Sequence, residues 1–244
     1  VNLIKKADFA YARDEKTAKE VGSFVKVTSD MAFGLPYDKT AYHFDAKKKF
    51  GINVSSLLWD DNTRGRFGLS IDYKMFYRTL ITDLIQNGEY QVHIIPHVID
   101  HKHYEAGEND YRICCELEKE FKGNVILAPA FETAIQAKSY ISNMDIFLGS
   151  RMHSTIGAIS SGVATIPLSY AYKFEALYSH IQYPYVINAR VVTTEEALKM
   201  TKQWMNEVDT LKEAGKIAVN HALDELVDFK KNLQESLKSN HLLG

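Results

Sequence analysis

The stretch Asp145-Ile-Phe-Leu-Gly149-Ser-Arg151-Met152-His153-Ser154-Thr-Ile-Gly-Ala-Ile-Ser-Ser161-Gly162-Val-Ala164-Thr-Ile-Pro-Leu-Ser169-Tyr170-Ala-Tyr-Lys173 decides how this chain is read. An apolar run ends at Gly149. A helix of small residues follows, Gly162 closes it, and a second apolar run ends at Ser169. This is a strand–helix–strand unit, whose crossover calls for parallel pairing. Arg151 and His153 fall where the first strand enters the helix. Unpaired N–H groups and the positive end of the helix dipole point at that turn, so a cation and an imidazole there make a ready anion site. Arginine offers a rigid fork to a carboxylate or phosphate, and histidine exchanges a proton near neutral pH. Taken alone, an Arg-x-His triplet is most simply a surface cation beside a helix-start imidazole. Its place after a strand, with Gly149 permitting close backbone approach, points to function.

The same rhythm runs outward from this unit. Strands are expected at Phe9–Ala12, Val25–Thr28, Gly51–Leu58, Gln91–Pro96, Val125–Ala128, Ile146–Gly149, Thr165–Ser169 and Tyr185–Asn188. Helices are expected at Glu15–Val21, Ile71–Gln86, Asp110–Phe121, Phe131–Ser142, His153–Ser161 and Phe174–Ile181. Such alternation predicts an α/β fold with helices on both faces of a parallel sheet and ligand-binding loops along one edge. The tract Gly34–Lys49, with Pro36 and a run of lysines, reads as a linker. It divides a partial N-terminal Rossmann-like domain (1–40) from a C-terminal one (50–192). A helical tail (193–240), with a break expected near Asp209-Thr210, is expected to pack back through Leu198, Met205, Val208, Leu223, Leu226, Val227 and Leu233. Two strands do not make a stable sheet of this type, and Leu3–Lys6 looks like the tail of a helix, so the chain is expected to be a fragment.

Composition narrows the function classes. With 244 residues, 45% hydrophobic and 25% charged, the chain has the balance of a globular protein. A net charge of −2 argues against a nucleic-acid partner and allows at most peripheral membrane contact. No apolar run approaches the roughly 20 residues needed to span a bilayer. The adjacent Cys114 and Cys115 are neither a disulfide framework nor a metal knuckle, which suggests a reducing, cytoplasmic setting.

Other polar groups are weighed against plainer readings. His93, His97, His101 and His103 suggest a metal cluster, but Pro96 and the turn around Asp100 deny them regular geometry, so no metal is expected. His97 alone, just past its strand, is a candidate substrate contact. Asp60-Asp61-Asn62 reads as a solvated turn, and Arg64 and Arg66 as exposed loop cations that an anionic acceptor would find. Asn109-Asp110 reads as a helix N-cap.

These residues together resemble the polysaccharide pyruvyl transferase family. Asp145, Gly149, Arg151, Met152, His153 and Ser154, followed by Tyr170 and Lys173, match its D-x-x-x-G-x-R-[LM]-H-[SA] and Y-x-x-K elements. Ala7-Asp8 through Arg13-Asp14 with Thr17, then Ser29-Asp30-Met-Ala-Phe33, match two upstream blocks. Ile95-Pro96-His97 with Asn109-Asp110 matches a further one. Ala164 stands where the family usually has proline, and the family's glycine-rich opening segment lies upstream of what is matched here. The resemblance implies a GT-B-like fold of two facing Rossmann-like domains. It also implies transfer of an enolpyruvyl unit from phosphoenolpyruvate to a sugar, lipid- and nucleotide-linked sugars among the acceptors it allows, as a pyruvate ketal. Phosphoenolpyruvate would be the donor substrate, with no separate cofactor. Arg151 and His153 would be catalytic, with Arg13, Met152, Ser154, His97, Tyr170 and Lys173 binding substrate. The rival readings are a GT-B glycosyltransferase using a nucleotide sugar, with Glu175 as its ribose acid, and a non-catalytic domain that binds an anionic sugar.

Overall fold

The structure, a computed structural model, describes residues 3–7, 9–59, 65–103 and 108–239. Asp8 and the Asp60-Asp61-Asn62/Arg64 loop singled out above lie outside the described residues.

Six parallel strands form the main sheet: β3 (Lys48–Asn53), β4 (Tyr90–Ile94), β5 (Val125–Leu127), β6 (Ile146–Gly149), β7 (Ala164–Ser169) and β8 (Ile187–Asn188). Their spatial order is β5-β4-β3-β6-β7-β8. The chain therefore builds outward from β3 in one direction, returns to β6 beside β3, and builds outward in the other. Ligands of open α/β sheets bind at such a reversal, beyond the carboxyl ends of the two central strands. Those ends are Asn53 and Gly149, which pair in register. Helices α3 (Tyr73–Asn87), α4 (Asp110–Glu120), α5 (Ala134–Ile141), α6 (Met152–Ile159) and α7 (Tyr172–His180) cover the faces, and a four-residue turn of helix, α2 (Ser56–Trp59), follows β3. Burial on both faces explains why these strands read as continuous apolar runs rather than as alternation.

The expected strand Gly51–Leu58 ends early. Ser55 and Ser56 turn the chain into α2, where the Ser55 N–H donates to the Tyr73 hydroxyl (2.8 Å) and the Ser56 N–H to Asp110 Oδ1 (2.9 Å). An apolar run such as Val54–Trp59 fits a strand or a helix equally well by pattern, and here distant side chains decide. The linker also corrects: β3 begins inside it at Lys48, and Met31–Gly34 and Lys39–Ala41 form short 3-10 turns. The linker is laid on α5 by Lys138 Nζ donating to the Leu35 carbonyl (2.7 Å) and the Asp38 N–H donating to Ser139 Oγ (2.9 Å).

The N-terminal segment contributes β1 (Ala10–Ala12) and β2 (Val25–Val27), paired in parallel around α1 (Glu15–Val21). Asp14 caps α1, its Oδ1 accepting from the Thr17 N–H (2.8 Å). The tail forms α8 (Thr194–Met205) and α9 (Val208–Ser239), so the break falls at Asn206-Glu207 rather than at Asp209-Thr210. Asp209 sits in the first turn of α9, where a carboxylate favours the helix. The long α9 packs against β7, α6 and the Met31–Gly34 turn, and so carries the N-terminal segment against the main domain. Leu223 and Val227, expected on its packing face, are exposed. Among the described residues no helix is long and apolar enough to cross a membrane.

Candidate functional site

Asn53, fully buried at the end of β3, organises the reversal point. Its Oδ1 accepts from the Arg151 N–H and from Ser154 Oγ, both at 3.0 Å, and its Nδ2 donates to the Ile95 carbonyl (3.0 Å). Beneath it, Tyr73 donates to Ser150 Oγ (2.8 Å) and Tyr77 lies 2.6 Å from the same oxygen. These bonds fix the Gly149–Arg151 turn from below. Gly149 is required there: a Cβ would lie 2.7 Å from Phe147 Cε1 and 3.0 Å from Thr155 Cγ2.

Arg151 precedes α6 and no side chain caps that helix, which leaves its first N–H groups open toward the sheet edge. Arg151 as a whole is only 8% exposed. Its Nε and Nη2 donate to the fully buried Asp110 carboxylate (3.1 Å to Oδ2 and 2.8 Å to Oδ1), and Nη2 also reaches Ser56 Oγ (3.4 Å). Nη1 is the one terminal nitrogen that Asp110 and Ser56 do not use. Asp110 further accepts from the Ser56 and Val98 N–H groups. Asn109, not Asp110, caps α4, while Asp110 serves as the counter-charge of Arg151.

His153 is 54% exposed in its side chain, with Nε2 3.6 Å from Asp30 Oδ2. Arg13 Nη1 donates to the same Asp30 oxygen at 3.0 Å. Burial would raise the Asp30 carboxyl, but His153, the Ala32 N–H and Arg13 outweigh it and hold the group well below the usual carboxylate range. At 3.6 Å the His153 contact is an ion-pair distance, longer than a good hydrogen bond. Asp30 thus joins Arg13 from the N-terminal segment to His153 of the main domain.

Tyr170 is buried, its phenol pushed up by burial and eased by Arg151. Lys173 is exposed on the first turn of α7. Its ammonium is pushed down first by desolvation, then by repulsion from Arg13 and Arg151, with Glu108 opposing. His97 lies beyond β4, its Nδ1 buried without a hydrogen-bond partner among the described residues. Burial pushes its pKa down to about 4, Asp110 opposing, with His153 and Arg151 adding to the drop. Arg13, Asp30, His97, Asp110, Arg151, His153, Tyr170 and Lys173 therefore share one electrostatic neighbourhood. Met152 stands apart, buried in the hydrophobic core, and Ser154 is buried on Asn53 and the Arg151 carbonyl. The motif's first residue, Asp145, accepts from the Lys49 N–H (2.8 Å) and locks β6 to β3.

Residues outside this neighbourhood have local partners. His93 lies in β4, bonded to Tyr140 and Gln91, whereas His101 bonds the Phe131 carbonyl and His103 pairs with Asp100. Arg66 is exposed beside Phe67. Glu175 accepts from Asn188 Nδ2 (2.8 Å). Sequence reading missed Asn53, Asp110 and Asp30, and for Asp110 and Asp30 the signal was present, since both sit inside blocks already quoted.

Fold and site together define an α/β protein of GT-B architecture with a densely charged site at the reversal of its parallel sheet. Solved structures agree on the fold. A trehalose-6-phosphate synthase matches at TM-score 0.55 and 8% identity over 88% of this chain and 51% of its own. A UDP-GlcNAc 2-epimerase from Neisseria meningitidis, bound to UDP-GlcNAc, matches at TM-score 0.53 and 11% identity over 93% and 61%. A trehalose-6-phosphate synthase from Burkholderia multivorans matches at TM-score 0.50 and 11% identity over 86% and 44%. The chain spans about half the length of the solved structures it matches. Among curated proteins none matches it in sequence. Residues 1–172 match the polysaccharide pyruvyl transferase family, and the chain belongs to that family.

Proposed function

We propose that this site binds phosphoenolpyruvate and moves its enolpyruvyl unit to two hydroxyls of a sugar, forming a pyruvate ketal and releasing phosphate. One observation carries the reading. Asp30 joins Arg13 (3.0 Å) to His153 (3.6 Å), two residues past Arg151, and Lys173, its ammonium pushed down first by desolvation, lies near enough for the charges of Arg13 and Arg151 to push it down further. Such repulsion in a partly desolvated site is relieved by a multiply charged anion, and phosphoenolpyruvate carries a carboxylate and a phosphate.

The residues divide the work. Asp110 and Asn53 hold Arg151 in place before any ligand arrives, so ordering it costs little when the donor binds. Arg151, Arg13 and Lys173 clamp the donor and stabilise the departing phosphate. His153 delivers a proton to the methylene carbon, leaving an oxocarbenium-like centre that one sugar hydroxyl attacks, its proton returning to His153; the second hydroxyl then displaces phosphate, which leaves carrying that hydroxyl's proton. Asp30 orients the His153 ring. His97, held neutral, is a contact rather than a proton carrier.

Calorimetry of the chain with phosphoenolpyruvate and with UDP-sugars tests the donor. Binding of phosphoenolpyruvate alone is expected; binding of UDP-sugars alone would replace this reading with glycosyl transfer. Phosphate release with lipid- or nucleotide-linked sugars tests the chemistry, and donor binding without release would leave an anion-binding domain. His153→Ala is expected to bind donor and lose turnover. Should it keep most of its turnover, the proton role is wrong.

A further inference from the structure

On the side of the molecule where α7 ends, three metal-ligating side chains from two helices come together. We propose that His180, His221 and Glu225 form a binding site for one divalent transition-metal ion, Zn2+ by ligand chemistry, which pins α9 to α7. This inference does not depend on the reaction proposed above.

One nitrogen of each imidazole and a carboxylate oxygen of Glu225 all lie within 4.8 Å of one another. His180 Nε2 is 2.9 Å from Glu225 Oε2, and the two imidazole rings stand 5.6 Å apart at 80°. His221 and Glu225 are four residues apart on α9 and so share one face. The His180–Glu225 pair alone is an ordinary hydrogen bond. His221 departs from that plain reading, because its Nδ1 is buried with no hydrogen-bond partner among the described residues. A buried polar atom left without a partner calls for an explanation, an absent ion being one.

Two imidazoles and a carboxylate are a donor set that suits Zn2+, which binds each at about 2.0–2.2 Å and keeps its fourth tetrahedral position for water. Of the three, His180 also lines a groove of about 880 Å3 between α1 and α7. The ionisable lining of that groove is Asp14, Glu15, Glu20 and Glu175 against Lys16 and Lys19, plus His180 itself, an acidic excess that favours a cation.

The position gives the ion a consequence. Helix α7 carries Lys173 at its start and His180 at its end. Helix α9 holds the N-terminal segment, the Glu225 carbonyl accepting from Thr28 Oγ1 (3.4 Å) and Phe229 meeting Tyr11 edge-on at 4.8 Å. An ion shared by the two helices therefore ties the segment that bears Arg13 and Asp30 to the helix that bears Lys173.

The test is titration of the chelator-treated chain with ZnCl2 alone, followed by calorimetry and by melting temperature. One tight equivalent per chain and a rise in melting temperature are expected. His221→Ala and Glu225→Gln should each weaken binding by at least about 100-fold, while His103→Ala, in an exposed loop, should change nothing. Substituted Co2+ should give the visible absorption of a tetrahedral N/O site in the wild type and lose it in either variant. Circular dichroism identifies a variant that fails to fold, and Glu225→Gln, which keeps the size of the native side chain, then decides. Equal Zn2+ affinity in wild type and Glu225→Gln, or wild-type binding no tighter than that of His221→Ala, overturns the site.

Discussion

Asp110 Oδ1 lies 2.8 Å from Arg151 Nη2 in a site where the carboxylate is fully buried. The two residues are 41 positions apart, at the starts of α4 and α6. Removing one member of a buried pair strands the other, which typically costs about 3–5 kcal/mol. Asp110→Ala is expected to lose on that order in urea denaturation at pH 7. Arg151→Met should cost less, because Asp110 keeps the Ser56 and Val98 N–H groups. An Asp110→Ala protein within about 0.5 kcal/mol of wild type, the scale of ordinary surface changes, would show that the pair does not hold the site.

Buried His93 and half-buried His97 give the fold an acid limit. Desolvation pushes the pKa of each down from the ordinary 6.5 to about 4. Between those values the unfolded chain binds more protons than the folded one, so stability is full above pH 6.5 and is lost as pH falls toward 4. Each contributes on the order of 3 kcal/mol across that window. His93→Gln keeps a polar partner near Tyr140 without titrating. Its unfolding free energy should fall less steeply over that range, by about one proton's worth of slope. A slope unchanged from wild type would remove His93 from the account.

Gly149 ends β6 against Phe147 and Thr155. Gly149→Ala places a Cβ 2.7 Å from an aromatic carbon inside a packed core, so the strand end or α6 must shift. Overpacking of this kind costs about 1–3 kcal/mol, and donor affinity should fall with it because Arg151 moves too. Gly162, with nothing within 4 Å of such a Cβ but a φ of +81°, is the control for backbone strain alone. Equal melting temperatures for Gly149→Ala and wild type would argue that the close approach is unimportant.

Much of this was visible in the chain. The strand–helix–strand period from Asp145 to Ser169 reflects burial on both sheet faces, and the polar residues at each strand end mark the ligand edge. Less legible were the partners. Asn53 reaches Arg151 across 98 residues, and Asp110 reaches it across 41, distances at which no periodicity carries information. Met152 shows the converse limit, since it lies between two site residues in sequence, yet helical geometry turns its side chain into the core. The Val54–Trp59 run was ambiguous because hydroxyl and carboxylate contacts from elsewhere, not its own pattern, set its conformation.

The cation cluster makes the most direct prediction about function. Arg13 and Lys173 come from α1's leading loop and the first turn of α7, and neither is buried as Arg151 is. A charged hydrogen bond to a ligand is worth about 1.5–3 kcal/mol, or roughly 10- to 150-fold in affinity. Arg13→Ala and Lys173→Ala should therefore each raise the calorimetric Kd for phosphoenolpyruvate by one to two orders of magnitude, less at high salt. Because the two cations repel each other, the double variant should lose less than the sum of the single losses. Strict additivity would mean that the two side chains do not meet on one ligand. An unchanged Kd in both single variants would remove the donor from this edge of the sheet altogether.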